Sequence, residues 1–210
     1  MIGSVKMKIT RIQLRKLISE MAAKQPKELS DRFHWEVRQW ESLGWDEDDW
    51  DGLDGDKVVK NIFVVGYVDT GVGRPRQIAD ISLKQKPESD CPHWEVKNVS
   101  VNRYVDAPGD DRVDLGPMMY DIAMELAGDS GMISDSNGTS AAAQRVWNFY
   151  LANRVGVDVE VREIDRSTCG RDGSSPELVF KNKVYYKKSG SVSIIEKLQG
   201  LDKIKFENFT

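Results

Sequence analysis

Histidine and cysteine are scarce in this chain of 210 residues: His34 and His93, Cys91 and Cys169. Two histidines exclude a histidine-rich metal centre. No Cys-x-x-Cys spacing is present to build a structural zinc site. The cysteines stand far apart in sequence, so the expectation is a reducing compartment. An excess of one charge is lacking as well. The 30 basic and 34 acidic residues leave a formal net charge of −4, which gives no footprint for nucleic acid. No run of 18 apolar residues is present to cross a membrane, and the N-terminus has no apolar segment of a secretory signal.

What is present fits an ordinary folded domain: 40% hydrophobic and 30% charged residues, enough for one good core with an appended element. The appended element is the start of the chain. In "KMKITRIQLRKLISEMAAK", Ile9, Ile12, Leu17, Ile18 and Met21 recur at helical spacing, and Thr10 can cap the helix. Six basic residues and one acid, Glu20, lie between Lys6 and Lys24. Pro26 breaks the pattern. The expected organisation is a basic amphipathic leader helix over residues 1–26 and one domain over 27–210. Trp35, Trp40, Trp45 and Trp50 fall every five residues, which matches neither a helix nor a strand, so an irregular aromatic segment is expected. Glu47, Asp49, Asp51 and Gly52 imitate the start of a calcium loop, but its twelfth position is Val58, where a bidentate Glu is required. No metal site is expected.

Three strands follow in "VVKNIFVVGYVD", "QIADISLKQK" and "HWEVKNVSVNRY". Strict alternation in the third puts Glu95, Lys97, Val99 and Val101 on one face and Val96, Asn98 and Ser100 on the other. An Asp-rich loop leads to an apolar helix from Gly116 to Ala127. Then come a short strand in "SGMISDS", a helix capped by Ser140, strands in "VDVEVREI" and "LVFKNKVYYKK", and a C-terminal helix ending near Gly200. Strand-strand-strand-helix-strand-helix-strand-strand reads as an α+β domain, a mixed and mostly antiparallel sheet flanked by helices.

The motifs carry a resemblance. Gly116-Pro117, Tyr120-Asp121 and Ala123-Met124 are followed by Ser134-Asp135, then Ser140, Ala143 and Gln144-Arg145-Val146-Trp147, then Tyr185 to Lys188 and Ile195 to Leu198. In this order they resemble the GNAT superfamily of N-acetyltransferases, most closely GNAT-like proteins of tailed bacteriophages, over roughly residues 60–200. The resemblance implies a GNAT-like fold and acyl transfer from acetyl-CoA to an amine on a protein or small molecule. It also implies that Val99, Ser100 and Val101 hold the pantetheine arm, while Arg112, Leu115, Gly116, Pro117, Met118 and Ser140 line the rest of the cofactor site. Glu95 is the candidate general base and Tyr150 the candidate acid.

The chain departs from that family at two points. The family's phosphate loop reads Arg or Gln, two residues, Gly, one residue, Gly or Ala. Anchored on Gly116, its first and middle positions are Asp111 and Asp114. One carboxylate about 4 Å from a phosphate costs about 4 kcal/mol at an effective dielectric near 20. An exposed helix terminus offers only about 0.3–1 kcal/mol. Binding therefore requires the aspartates to face solvent and Arg112 to face the phosphates. The family's frequent tyrosine four residues after Ala143 is Trp147, which has no titrating hydroxyl. The alternative is a non-catalytic binding or virion-associated protein with a degenerate cofactor loop. The leader resembles short basic leaders of phage proteins that are cut after a glutamate, and Ile18-Ser19-Glu20 fits that context. It implies capsid association, with residence in a host cytoplasm or a virion.

Overall fold

A computed structural model of the chain describes residues 26, 29–43, 58–85, 91–101, 115–134, 139–164, 169 and 179–208. The leader helix, the calcium-like segment, Trp45, Trp50, Asp111, Arg112 and Asp114 lie outside the described residues.

One sheet of eight strands organises them. The strands are β1 (Phe33–Leu43), β2 (Val58–Val68), β3 (Arg76–Gln85), β4 (Trp94–Val101), β5 (Met132–Ile133), β6 (Val159–Glu163), β7 (Lys183–Lys187) and β8 (Ile204–Asn208). Their order across the sheet is β6-β7-β5-β4-β3-β2-β1-β8. The run from β1 to β4 is antiparallel, whereas β4 with β5 and β1 with β8 are parallel. Three helices accompany the sheet among the described residues: α1 (Leu115–Ala127), α2 (Ala141–Asn153) and α3 (Ile194–Gly200).

This corrects the expected fold class. Instead of an α+β domain with a GNAT-like, mostly antiparallel sheet flanked by helices, a mixed eight-stranded sheet dominates, and strand residues outnumber helical ones. Two strands account for the difference. The described part of the tryptophan-rich segment expected to be irregular, with Trp35 and Trp40, is β1: Phe33, Trp35 and Val37 are buried while His34, Glu36 and Arg38 are not, a period of two that the five-residue tryptophan spacing conceals. After α3 the chain forms β8 on the outside of β1.

The helices follow local chemistry. Ser140 and Ser193 cap α2 and α3, their Oγ atoms accepting from the N–H groups of Ala143 and Glu196. Helix α1 is apolar on most of its circumference because it is enclosed. Its Met118, Met119, Ile122 and Met124 join Ile62, Val64, Ile81 and Leu83 of the sheet in the main core. Gly131, at φ +66°, sits so close to β7 that an added Cβ would lie 2.5 Å from the Tyr186 ring and 2.6 Å from Val184.

Cys91 and Cys169 form a disulfide, with Cα atoms 4.8 Å apart, so the expectation of a reducing compartment loses its basis. Cysteines 78 residues apart meet because the segment before β4 and the segment after β6 converge beside Ile133, Ile164 and Val184. Closing a loop of that length stabilises by about 4.5 kcal/mol on chain-entropy grounds. Among the described residues, no helix is long and apolar enough to cross a membrane.

Candidate functional site

The sheet is open at its centre. Strand β5 is two residues long and matches β4 only at Trp94–Met132 and Glu95–Ile133. From Val96 onward, no described strand pairs with this edge of β4. A bulge falls where the two strands part: Leu83 opposes Val96 and Ser82 opposes Asn98, which leaves Lys97 as an extra residue. Bulges of this kind re-aim side chains and are common beside functional sites.

The bulge resets the phase of β4. The Trp94 N–H bonds to the Gly131 carbonyl at 3.0 Å, so Trp94 turns its backbone toward β5. Alternation gives Val96 the same direction, and the extra residue passes it to Val99 and Val101 rather than to Asn98 and Ser100. The side chains agree. Val96, Val99 and Val101 pack on the main core. On the opposite face, Asn98 and Ser100 donate to the Asp80 carboxylate at 2.8 and 2.6 Å. The strict alternation expected for β4 is thereby corrected.

Beyond the free edge lies a cleft of about 160 Å³. Its walls are Val96 to Val99 of β4, Tyr120 of α1, and Thr139, Ser140, Ala143 and Trp147 at the start of α2. Ala143 and Trp147 share a helical face at the i, i+4 spacing. Two hydroxyl oxygens buried here, Tyr120 Oη and Thr139 Oγ1, have no hydrogen-bond partner. Buried polar atoms are almost always paired, so two orphans at one cleft mark a place suited to a polar ligand. Burial raises the Tyr120 phenol well above its ordinary value, so it stays protonated and able to donate.

The cleft gathers some of the sequence candidates and leaves others aside. Val99 and Ser140 line it, and Val101 continues the same edge. Ser100 faces away, bound to Asp80. Gly116 and Pro117 sit in the first turn of α1, with Leu115 and Met118 buried beside them. Glu95 stands one residue before the cleft wall, 2.8 Å from the Lys97 ammonium. Tyr150 does not line the cleft. Fully buried, its hydroxyl lies 2.8 Å from the Pro117 carbonyl and 2.9 Å from Asp121 Oδ1. Burial, and then the Asp121 charge, raise its phenol well above its ordinary value. Sequence reading passed over Tyr120 and Thr139 as site residues. Tyr120 could have been found from its place in the Tyr-Asp motif, since Asp121 and Tyr120 must point to different sides of α1.

The strongest charge cluster in the described residues is scaffolding. Arg154 donates to Asp121 at 3.1 Å and to Asp158, and Lys187 reaches Asp158 at 3.1 Å. Glu125 accepts from Ser193 Oγ and from the N–H groups of Ile194 and Ile195, capping α3 from α1. These groups tie α1, α2, β7 and α3 together and are satisfied by one another. Comparison with protein-family models, with curated proteins and with solved structures found no match to this chain.

Proposed function

We propose that the cleft receives the amide-bearing arm of an acyl-CoA, with acetyl-CoA the expected form, and that the protein passes the acyl group to an amine. The observation that carries this reading is the free edge of β4 beyond Glu95, with Val99 and Val101 offering backbone N–H and C=O groups to an extended amide chain. The unpartnered Tyr120 and Thr139 hydroxyls add donors at the same place. When bound, acetyl-CoA would supply a thioester, an acyl group activated toward amines. Tyr120 Oη holds a proton available to a leaving sulfur, in the acid role that the sequence assigned to Tyr150. The proposed acceptor of the proton of an incoming amine is Glu95, which stands one residue before the cleft wall, paired with Lys97, and acts through water because alternation turns it to the face opposite Val96. A location in a phage-infected host or a virion follows from the resemblance alone.

Binding without chemistry is the second reading. One observation favours it: among the described residues, no carboxylate lines the cleft itself. Melting with and without acetyl-CoA tests the shared part. Saturation to 100 times the dissociation constant stabilises by about 2.7 kcal/mol, a shift of roughly 5–10 °C for a chain of this size. An unchanged melting temperature at millimolar acetyl-CoA removes both readings. Transfer to an amine, followed by release of free thiol, separates them. Tyr120→Phe should lower kcat at least tenfold while the fold stays as stable or gains up to about 1 kcal/mol, because it deletes an orphaned buried hydroxyl.

A further inference from the structure

We propose that β8 is a dimerisation strand, pairing antiparallel with β8 of a second copy of this chain about a two-fold axis at Phe206. Strand β8 is the last in the sheet, and no described strand lies beyond it. The Lys203 carbonyl accepts from the Trp35 N–H at 2.8 Å, so its backbone turns toward β1. Alternation turns Lys205 and Glu207 the same way and leaves the N–H and C=O of Ile204, Phe206 and Asn208 facing outward. A two-fold at Phe206 makes that residue a hydrogen-bonded pair with its own copy. Lys205 and Glu207 of the two copies then fall in the closer, non-hydrogen-bonded pairs, each lysine opposite a glutamate, twice per interface. The order Lys-Phe-Glu is thus complementary to itself in this register. Phe206, 43% exposed on the face that carries buried Ile204, would gain cover from its copy. Glu207 already meets Arg38 at 3.2 Å through one oxygen, and its side chain is half exposed, so the second oxygen can meet a lysine. A protected edge strand carries a proline, a bulge or an unmatched lysine; here the lysine is matched. The opposite edge, β6, carries a similar charge order in Glu160-Val161-Arg162, but with Val161 where β8 has an exposed aromatic. Its Arg162 lies over the Tyr186 ring and beside Glu160, and no exposed aromatic stands between them.

Sedimentation of the full chain at rising concentration tests this. The expected result is a monomer–dimer equilibrium. Lys205→Glu places like charges opposite each other twice and should raise the dissociation constant about tenfold or more, and adding Glu207→Lys should restore it. Because Glu207→Lys also removes the partner of Arg38, Phe206→Asp is an independent variant, expected to abolish the dimer with an unchanged circular dichroism spectrum. A monomer at every concentration up to about 1 mM overturns the proposal. So does a dimer indifferent to Lys205→Glu or Phe206→Asp, or a folded double variant that fails to re-associate.

Discussion

Asp121 and Asp158 share Arg154, which pulls both carboxyls down, yet their net shifts are opposite. Burial raises the Asp121 carboxyl, and the charges of Arg154 and Lys187 only partly offset it. Burial also acts on Asp158, but the hydrogen bond and charge of Arg154 outweigh it and lower that carboxyl. Their contributions to stability therefore have opposite signs. The Asp158 contribution is present above its unfolded value and is lost as pH falls through its lowered folded value. The Asp121 contribution declines as pH rises from its unfolded value through its raised folded one. Arg154→Met leaves Asp121 buried with less compensation and should cost about 3–5 kcal/mol at neutral pH. Part of that loss should return as pH falls from neutrality through the raised Asp121 value and Asp121 takes up a proton. Urea midpoints of the variant and the parent across this range check the sign: the variant should gain stability relative to the parent on acidification.

At the scale of elements, the short strand β5 is the pivot. Gly131 introduces it with a positive φ and no room for a Cβ against Tyr186 and Val184, and its carbonyl holds the Trp94 N–H. Gly131→Ala combines backbone strain with overpacking and should destabilise by about 2–5 kcal/mol in urea unfolding. An exposed glycine with open space around it, Gly73→Ala, is the control for the steric part.

Much of this level was legible in the sequence. β-Branched runs marked β2 and β3, and the cap serine Ser140 marked α2. What escaped was set by partners distant in sequence. The bulge at Lys97 is a property of the register between β3 and β4, and no alternation in β4 alone discloses it. The five residues of β8 are too short a pattern to stand out after a helix. Cys91 and Cys169 meet only because the segments before β4 and after β6 converge over Ile133, Ile164 and Val184. At the cleft, Val99 and Ser140, which the motifs also single out, are lining residues, and Val101 continues the same edge. Ser100 was turned away by the shifted phase, and Tyr150 was taken into the Asp121 network, leaving the cleft hydroxyl to Tyr120.

The described residues form one wide sheet, and two stretches of its unpaired backbone carry the proposals. One is at its margin, on β8, where the sequence is self-complementary. The other is internal, where β4 and β5 part after two residues and the cleft begins. The central claim is that this internal edge is where a ligand's amide groups pair. Residue-resolved amide hydrogen exchange with and without acetyl-CoA tests it most directly. The account predicts that the cofactor slows exchange at Val99 and Val101, whose N–H groups face the cleft, and leaves Asn98 and Ser100, already directed at β3, largely unchanged. Uniform exchange along β4 with saturating acetyl-CoA, or protection confined to residues away from this edge, would contradict it.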